Sequence, residues 1–223
     1  MKTKQIIALG VAAFLATIVY FSFSDGESSE VYYSAMIKER EEKDAFMKTD
    51  KDSPFRSTKA RKLDAASGQI DTTETTAVVK KLNYFPPDLK YKVKASLESI
   101  ENKKVIVVPT SDGKEKRYLE YARAKFTLNG QKNSLLIMEV MDAGPYKGTL
   151  FLAFADETSA NETYGAGRYI ELKKVRGATS IVIDFNHAYN PYCAYSDSFS
   201  CPFPPKENIM KIAIKAGEKK YHN

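Results

Sequence analysis

Apolar and polar residues alternate in short runs from residue 82 to the C-terminus. In residues 91–97, for example, Tyr91, Val93 and Ala95 alternate with lysines and a serine, which is typical of a strand with one buried face. Turn-forming residues separate the runs, and Asn129-Gly130 is the strongest of these signals. The pattern predicts strands over residues 91–97, 105–108, 117–128, 134–140, 150–155, 168–172, 180–184 and 209–214.

These strands define the predicted fold class, which is mainly β. Strands that follow one another at short, regular intervals favour antiparallel pairing over βαβ units. We therefore predict an antiparallel sandwich or open barrel of about eight strands. This β-rich domain is expected to occupy residues 81–223, a length that suits one domain with its own core.

A helical pattern precedes the strands. Residues 30–47 place Tyr33, Met36 and Ile37 on one side of a helix and charged residues over the rest, which predicts one amphipathic helix. A solvated, charge-rich helix with little packing fits the pattern equally well. Residues 25–80 as a whole are predicted to contain this helix and a polar connector.

The N-terminus carries the most apolar run of the chain. Lys2 and Lys4 precede an uncharged, nearly continuous apolar segment over residues 6–23, whose length is marginal for crossing a bilayer. Aromatic residues occupy the place of a small-residue cleavage site, so residues 1–24 are predicted to form an uncleaved membrane anchor. A cleaved signal peptide and a buried helix are the alternatives. The flanking charges predict one membrane span with the domain outside the cytoplasm. In a bacterium, this orientation corresponds to an inner-membrane anchor with the domain in the cell envelope.

Charge narrows the range of partners. The chain of 223 residues has a net charge of +6, but acidic and basic residues alternate along it. Without a basic block interleaved with aromatic residues, we predict no nucleic-acid partner. The predicted partners are the membrane, through residues 6–23, and either a small molecule or another envelope protein.

Residues 184–208 are the most informative stretch. They contain four of the nine prolines, both cysteines and six aromatic residues. The prolines exclude a regular helix or central strand, and disordered linkers are poorer in aromatics. An ordered loop packed on a scaffold is therefore predicted, and binding sites commonly lie on such loops. In an oxidising compartment, Cys193 and Cys201 are expected to form a disulfide worth about 2–3 kcal/mol.

Four segments of the chain resemble a known family. They read LNYFPPDLKYKV, TSDGKEKRY, LFLAFADETSANETYGAGRYI and DFNHAYNPYCAYSDSFSCPFPPKEN. Together they resemble the bacterial family named domain of unknown function 1684 (DUF1684), over residues 31–220. The resemblance implies a predominantly β fold without an established activity, so it carries over no catalytic residue. It also implies that many relatives lack the anchor.

The candidate site residues lie in or near residues 184–208. Arg168 has a planar fork suited to a carboxylate or phosphate, and it either pairs internally with Glu162 or Asp184 or faces a ligand. Asp184 and Glu162 are the candidate catalytic acids, although a carboxylate at a strand end more often caps loop amides. The other candidate ligand-binding residues are Tyr164, Tyr169, Asn186, Tyr189 and Asn190. The more common roles of such residues are in a packed core, for the tyrosines, and in loop hydrogen bonds, for the asparagines.

Missing motifs disfavour several kinds of chemistry. Gly165 and Gly167 lack the third glycine and the helix of a dinucleotide site, and there is no Gly-x-Ser-x-Gly motif. His187, Cys193 and Cys201 match no standard zinc spacing, so we predict neither a metal nor a cofactor. The sequence therefore predicts a tethered β domain that binds a small or extended ligand. A carboxylate-dependent hydrolase and a structural envelope module are the alternatives.

Overall fold

A computed structural model of the protein describes residues 28–55 and 81–221. In this part, helix α1 spans Ser29–Thr49 and seven strands follow. The strands are β1 (Lys92–Ser99), β2 (Val105–Pro109), β3 (Glu115–Leu128), β4 (Gln131–Val140), β5 (Leu150–Phe154), β6 (Arg168–Leu172) and β7 (Ser180–Asp184). The mainly β prediction is confirmed, and the helix and seven of the predicted strands lie close to their expected positions.

The strands form one antiparallel sheet that curls into a half-barrel. Their order is β6-β5-β4-β3-β1-β7, and β2 pairs with β3. The long β3 has three partners, and a register shift between Glu120 and Ala122 lets it bend between them. The β3–β4 hairpin turns at Asn129 and Gly130, which have φ values of 51° and 75°, as the turn signal predicts.

Residues 209–214, predicted as an eighth strand, run instead as an irregular segment. Ile209 forms an isolated parallel bridge with Ala155. Ile212 and Ile214 are buried in the core, which accounts for the strand-like alternation in the sequence. The carbonyl of Ile214 accepts a side-chain hydrogen bond from Arg168 (2.9 Å). The segment is therefore buried and hydrogen-bonded without joining the sheet.

Side chains on the two faces of the sheet belong to two separate apolar clusters. In β5, Leu150, Leu152 and Phe154 belong to the main core, whereas Phe151 and Ala153 belong to a second cluster on the opposite face. All five residues of β5 are buried, because both faces of this strand are covered. Tyr189, from residues 184–208, packs against the second cluster.

Helix α1 packs on the sheet through a face that includes charged residues. Ser28 caps its N-terminus by accepting a hydrogen bond from Val31 N (3.2 Å). Tyr33, predicted on the packed face, is 48% exposed. The side chains that are buried instead form a stripe at three- or four-residue spacing, namely Tyr32, Met36, Arg40, Asp44 and Met47. Because two members of this stripe are charged, the apolar pattern alone leaves the packing of the helix ambiguous.

No helix in the described part of the chain is long and apolar enough to cross a membrane. The predicted anchor, residues 1–24, lies outside that part, as do residues 56–80 of the predicted polar connector. The anchor, the connector and the domain boundaries therefore stay predictions.

Candidate functional site

A groove of about 910 Å³ opens between α1, the edges of β6 and β7, and residues 184–208, which we call the aromatic loop. Its size is that of a ligand site. The sheet and the aromatic loop both contribute rings to its walls, namely Tyr118, Phe151, Tyr169, Tyr189, Tyr192 and Phe199. Charged residues of both signs also line it, among them Lys43, Lys116, Lys173, Glu39, Asp142 and Glu171. The groove therefore offers apolar contact surface without one dominant sign of charge.

One border of the groove is the open edge of β6. At this edge Tyr169 exchanges two backbone hydrogen bonds with Tyr189 (2.9 and 3.0 Å). Backbone groups of an antiparallel strand point alternately to its two sides. Glu171, two residues after Tyr169, therefore turns its N–H and C=O toward the same edge. None of the described strands pairs with β6 on that side.

The opposite border is the open edge of β7. On its other side β7 pairs with β1, and the ladder continues where Leu97 N donates to Thr179 O (2.8 Å). By the same alternation, Val182 directs its N–H and C=O away from β1. β6 and β7 are consecutive in the chain, yet they are the two ends of the described sheet. The groove thus lies where the half-barrel is open.

The aromatic loop is ordered by hydrogen bonds to the sheet. Ser111 N donates to Cys201 O, and Phe203 N donates to Pro109 O, each at 2.9 Å. Near its end, the side chain of Asn208 donates to the carbonyls of Leu136 (2.9 Å) and Ala153 (2.8 Å). Three short 3-10 turns are its regular structure.

Arg168 is buried and does not line the groove. Its Nη2 pairs with Asp156 Oδ2 (2.7 Å) and donates to Ile214 O (2.9 Å). Its Nη1 donates to the carbonyls of Ala216 and Glu218. Burial lowers the pKa of this guanidinium, and the charge of Asp156 opposes the shift. Arg168 thus joins the sheet to the C-terminal segment.

The internal partner of Arg168 is Asp156 and neither of the two predicted acids. Phe154 and Arg168 are directly paired across β5 and β6, and Asp156 follows two residues after Phe154. The register of the sheet therefore decides the pairing, which local sequence does not reveal. Glu162 pairs instead with Lys215 (2.8 Å).

Asp184 lines the groove, but its carboxylate already accepts several hydrogen bonds. The hydroxyl of Tyr32 lies 3.0 and 2.8 Å from its two oxygens. Asn186 donates to Oδ1 from its backbone N (3.0 Å) and from Nδ2 (2.9 Å). Burial raises the pKa of Tyr32, and the bond to Asp184 adds to this. These contacts are those of a carboxylate that caps a turn and ties α1 to β7.

The two candidate catalytic acids are not brought together. Asp184 is among the residues that line the groove, whereas Glu162 is not. Hydrolysis of a glycosidic bond by a carboxylate pair requires both acids across the same bond. The geometry therefore offers no such pair at these positions.

Tyr169 and Tyr189 are predicted ligand-binding residues that meet in the groove. Their rings are nearly perpendicular (88°), with centroids 5.9 Å apart. The Tyr189 hydroxyl donates to Glu171 (3.2 Å), and Lys43 Nζ lies 4.9 Å from the Tyr189 ring centroid. Burial is the main cause that raises the pKa of Tyr189. Asn186 also lines the groove.

The other two predicted ligand-binding residues lie outside the groove. Asn190 is buried, and its Nδ2 donates to Glu218 Oε1 (2.9 Å). Tyr164 is half-buried, and its hydroxyl donates to Cys193 Sγ (3.8 Å). Both side chains therefore have internal partners.

Sequence reasoning missed a buried polar cluster beside the groove. Glu218 is fully buried, forms an ion pair with Lys43 (3.1 Å) and accepts a hydrogen bond from Tyr195. The buried hydroxyl of Tyr84 has no hydrogen-bond partner among the described residues. Glu218 stands in a lysine-rich tail and Lys43 in a charge-rich helix. Such local patterns predict solvated side chains, so no signal in the sequence indicates this cluster.

Cys193 and Cys201 are neighbouring free thiols, whereas the sequence predicts a disulfide. The backbone N of Cys193 donates to Cys201 Sγ (3.2 Å). Cys193 is partly exposed and Cys201 is buried. Within residues 28–55 and 81–221, no group of three or more His, Cys, Asp or Glu side chains could hold a metal ion.

A family model described as "Protein of unknown function (DUF1684)" matches residues 77–219. The chain belongs to this family. The match confirms the resemblance seen in the sequence motifs, and it includes every strand of the DUF1684 sheet described above.

A solved structure also resembles this DUF1684 protein. It is the solution NMR structure of the uncharacterized protein from gene locus rrnAC0354 of Haloarcula marismortui. The two chains are 34% identical and align with a TM-score of 0.59, over 86% of this chain and 96% of that one. No curated protein matches the chain at a significant level.

Proposed function

We propose that this DUF1684 protein is a binding module, tethered to the cell envelope by residues 6–23, whose groove takes an extended peptide. The observation that carries the proposal is the pair of open strand edges, at Glu171 and Val182, that border an aromatic groove. Extended peptides add to such edges through main-chain hydrogen bonds and place alternate side chains in pockets.

The lining of the groove supports the same class of ligand. Rings such as Tyr189 and Phe199 offer apolar contact to side chains of an added strand. The charged groups are of both signs, as with Lys173 and Glu171, so they favour a ligand with mixed or no net charge. A peptide backbone meets this requirement, because it supplies donors and acceptors without carrying charge.

The proposal is tested by peptide retention on the full chain in lipid nanodiscs. The probe is a pool of mixed-sequence synthetic peptides of about six residues, the usual length of a strand. We expect the protein to retain a subset of the pool above the level of empty nanodiscs. In that subset, methylation of backbone nitrogens at alternate positions is expected to abolish retention, because it removes the donors that pair with a strand edge.

Val182 provides a matched pair of variants. Val182→Pro removes an N–H that faces away from β1, a position where strands tolerate proline. Val182→Thr keeps the N–H and the branched shape. We expect about tenfold weaker peptide binding by Val182→Pro and unchanged binding by Val182→Thr, with similar thermal midpoints. Retention of the same peptides by both variants, or none by the wild type, would contradict the proposal.

A further inference from the structure

The two cysteines occupy unequal positions on the aromatic loop. Cys193 lies in the short 3-10 turn Tyr192–Ala194 and is partly exposed. Cys201 is only 7% exposed, and it lies beside the groove, which it helps to line. The 3.2 Å contact between Cys193 N and Cys201 Sγ holds the two residues side by side. Cys193 is therefore the more exposed of the two cysteines, and Cys201 lies next to it.

Hydrogen-bond donors surround the sulfur of Cys193. The thiol of Cys201 and the hydroxyl of Tyr164 both donate to it. The bond from Cys201 is the largest cause that lowers the pKa of Cys193 to about 6, and the bond from Tyr164 adds to it. The same contact raises the pKa of Cys201, and burial adds to that shift. A thiolate is the nucleophile in sulfur exchange, so Cys193 is the attacking residue and Cys201 the second thiol.

We propose that Cys193 and Cys201 form a reversible dithiol centre that exchanges electrons with small thiols and their disulfides, in the direction set by the redox state of the compartment. A fixed staple would need two thiols that stay bonded and shielded. Here a partly exposed cysteine with stabilising donors adjoins a buried one, which is the arrangement of a dithiol that opens and closes. This inference does not depend on peptide binding in the groove.

The exchange is balanced in two steps. The Cys193 thiolate attacks one sulfur of the disulfide, so that a mixed disulfide forms and the first small thiolate leaves and takes a proton from water. Cys201 then gives its proton to water, and its thiolate attacks the sulfur of Cys193. The bond between the two cysteines forms, and the second small thiolate leaves and is protonated. The cysteine pair loses two electrons, and the small disulfide gains them.

Mass spectrometry of the reduced full chain with oxidised glutathione tests the two roles. The wild type is expected to lose the mass of two hydrogens, and reduced glutathione is expected to restore it. Cys201→Ser should accumulate one glutathione on Cys193, because the second thiol is missing. Cys193→Ser should react on the order of 100-fold more slowly, since its remaining thiol is buried and protonated.

The pH dependence of alkylation by iodoacetamide provides a test that needs no cysteine variant. In the reduced wild type, the rate at Cys193 should rise with a midpoint of about pH 6, well below that of an ordinary thiol at about 8.5. Tyr164→Phe should move this midpoint upward, because one donor to the thiolate is lost. Tyr146→Phe, on a tyrosine that is 64% exposed, is the matched control.

Three results would overturn the dithiol centre. The first is an alkylation midpoint for Cys193 that equals the midpoint of an ordinary thiol, at about pH 8.5. The second is a Cys201→Ser protein, folded by its thermal midpoint, that forms no glutathione adduct. The third is a bond between the cysteines that reduced glutathione does not open, which would make it the fixed structural disulfide that the sequence predicts.

Discussion

The guanidinium of Arg168 donates hydrogen bonds to the C-terminal segment, as the backbone N–H groups of a neighbouring strand would. It donates to the alternate carbonyls of Ile214, Ala216 and Glu218, which a strand would otherwise satisfy through its N–H groups. Its charge is balanced by Asp156 in a fully buried ion pair. A residue that looks like a ligand-binding arginine in the sequence is thus part of the architecture of the fold.

Arg168→Ala is expected to lower the free energy of unfolding by about 3–5 kcal/mol, because it leaves a buried carboxylate without its partner. Chemical denaturation measures the change. Arg123→Ala is the control, since its ion pair with Glu207 is partly exposed and its loss should cost at most about 1 kcal/mol. Equal losses in the two variants would contradict the structural role of Arg168.

At these individual positions the sequence was a partial guide. It marked Arg168, Asp184 and the cysteines as residues with either a structural or a ligand-binding role. The sequence did not indicate the partners of Arg168 and Asp184. Asp156 contacts Arg168 because of the β5–β6 register, and Tyr32 contacts Asp184 across 152 residues of sequence.

Among the secondary-structure elements, α1 shows most clearly how the groove is built. Its buried stripe supplies Tyr32 to Asp184 and Arg40 to the carbonyl of Phe85 (2.8 Å). The partly buried Lys43, beside that stripe, pairs with Glu218. The helix therefore covers one side of the groove by satisfying polar groups of the sheet and of the C-terminal tail. Apolar burial alone would hold it weakly, since few of its side chains are apolar and buried.

Tyr32→Phe should loosen α1, because a buried carboxylate loses one of its donors. We expect a loss of about 1–3 kcal/mol in the free energy of unfolding and faster amide exchange along Ser29–Thr49. Tyr33→Phe, next to it on the exposed side of the helix, should leave both quantities unchanged. If the two variants behave alike, the bond to Asp184 does not hold the helix.

At the scale of the whole molecule, the proposed tether would decide where the groove lies in the cell. The described helix begins at Ser29, a few residues after the predicted anchor, and packs beside the groove. A tether at this place would keep the groove close to the membrane surface. The bound peptide would then be a segment of another envelope protein or a free peptide near the membrane.

The tether predicts how the chain behaves in cells. The full chain is expected to stay in membranes after an alkaline wash and to be digested by protease added to spheroplasts. Ala13→Lys with Ala16→Lys should release it from membranes, since a lysine at the centre of a span costs about 2.5–3.5 kcal/mol. Ser24→Lys, at the end of the apolar run, should not. Release of the wild type by the wash would contradict the anchor.

Strands and turns were predictable because alternation and turn residues determine local structure within a few positions of the chain. Seven strands and α1 lie where those patterns indicate. Residues 209–214 misled the same reasoning, because burial produces alternation whether or not the segment joins a sheet. Only the packing of distant segments produced the groove, the unpaired edges of β6 and β7, and the pairing of the buried Glu218 with Lys43. A buried charge must find a partner wherever the folded chain supplies one, and that choice depends on proximity in space, which no local pattern encodes.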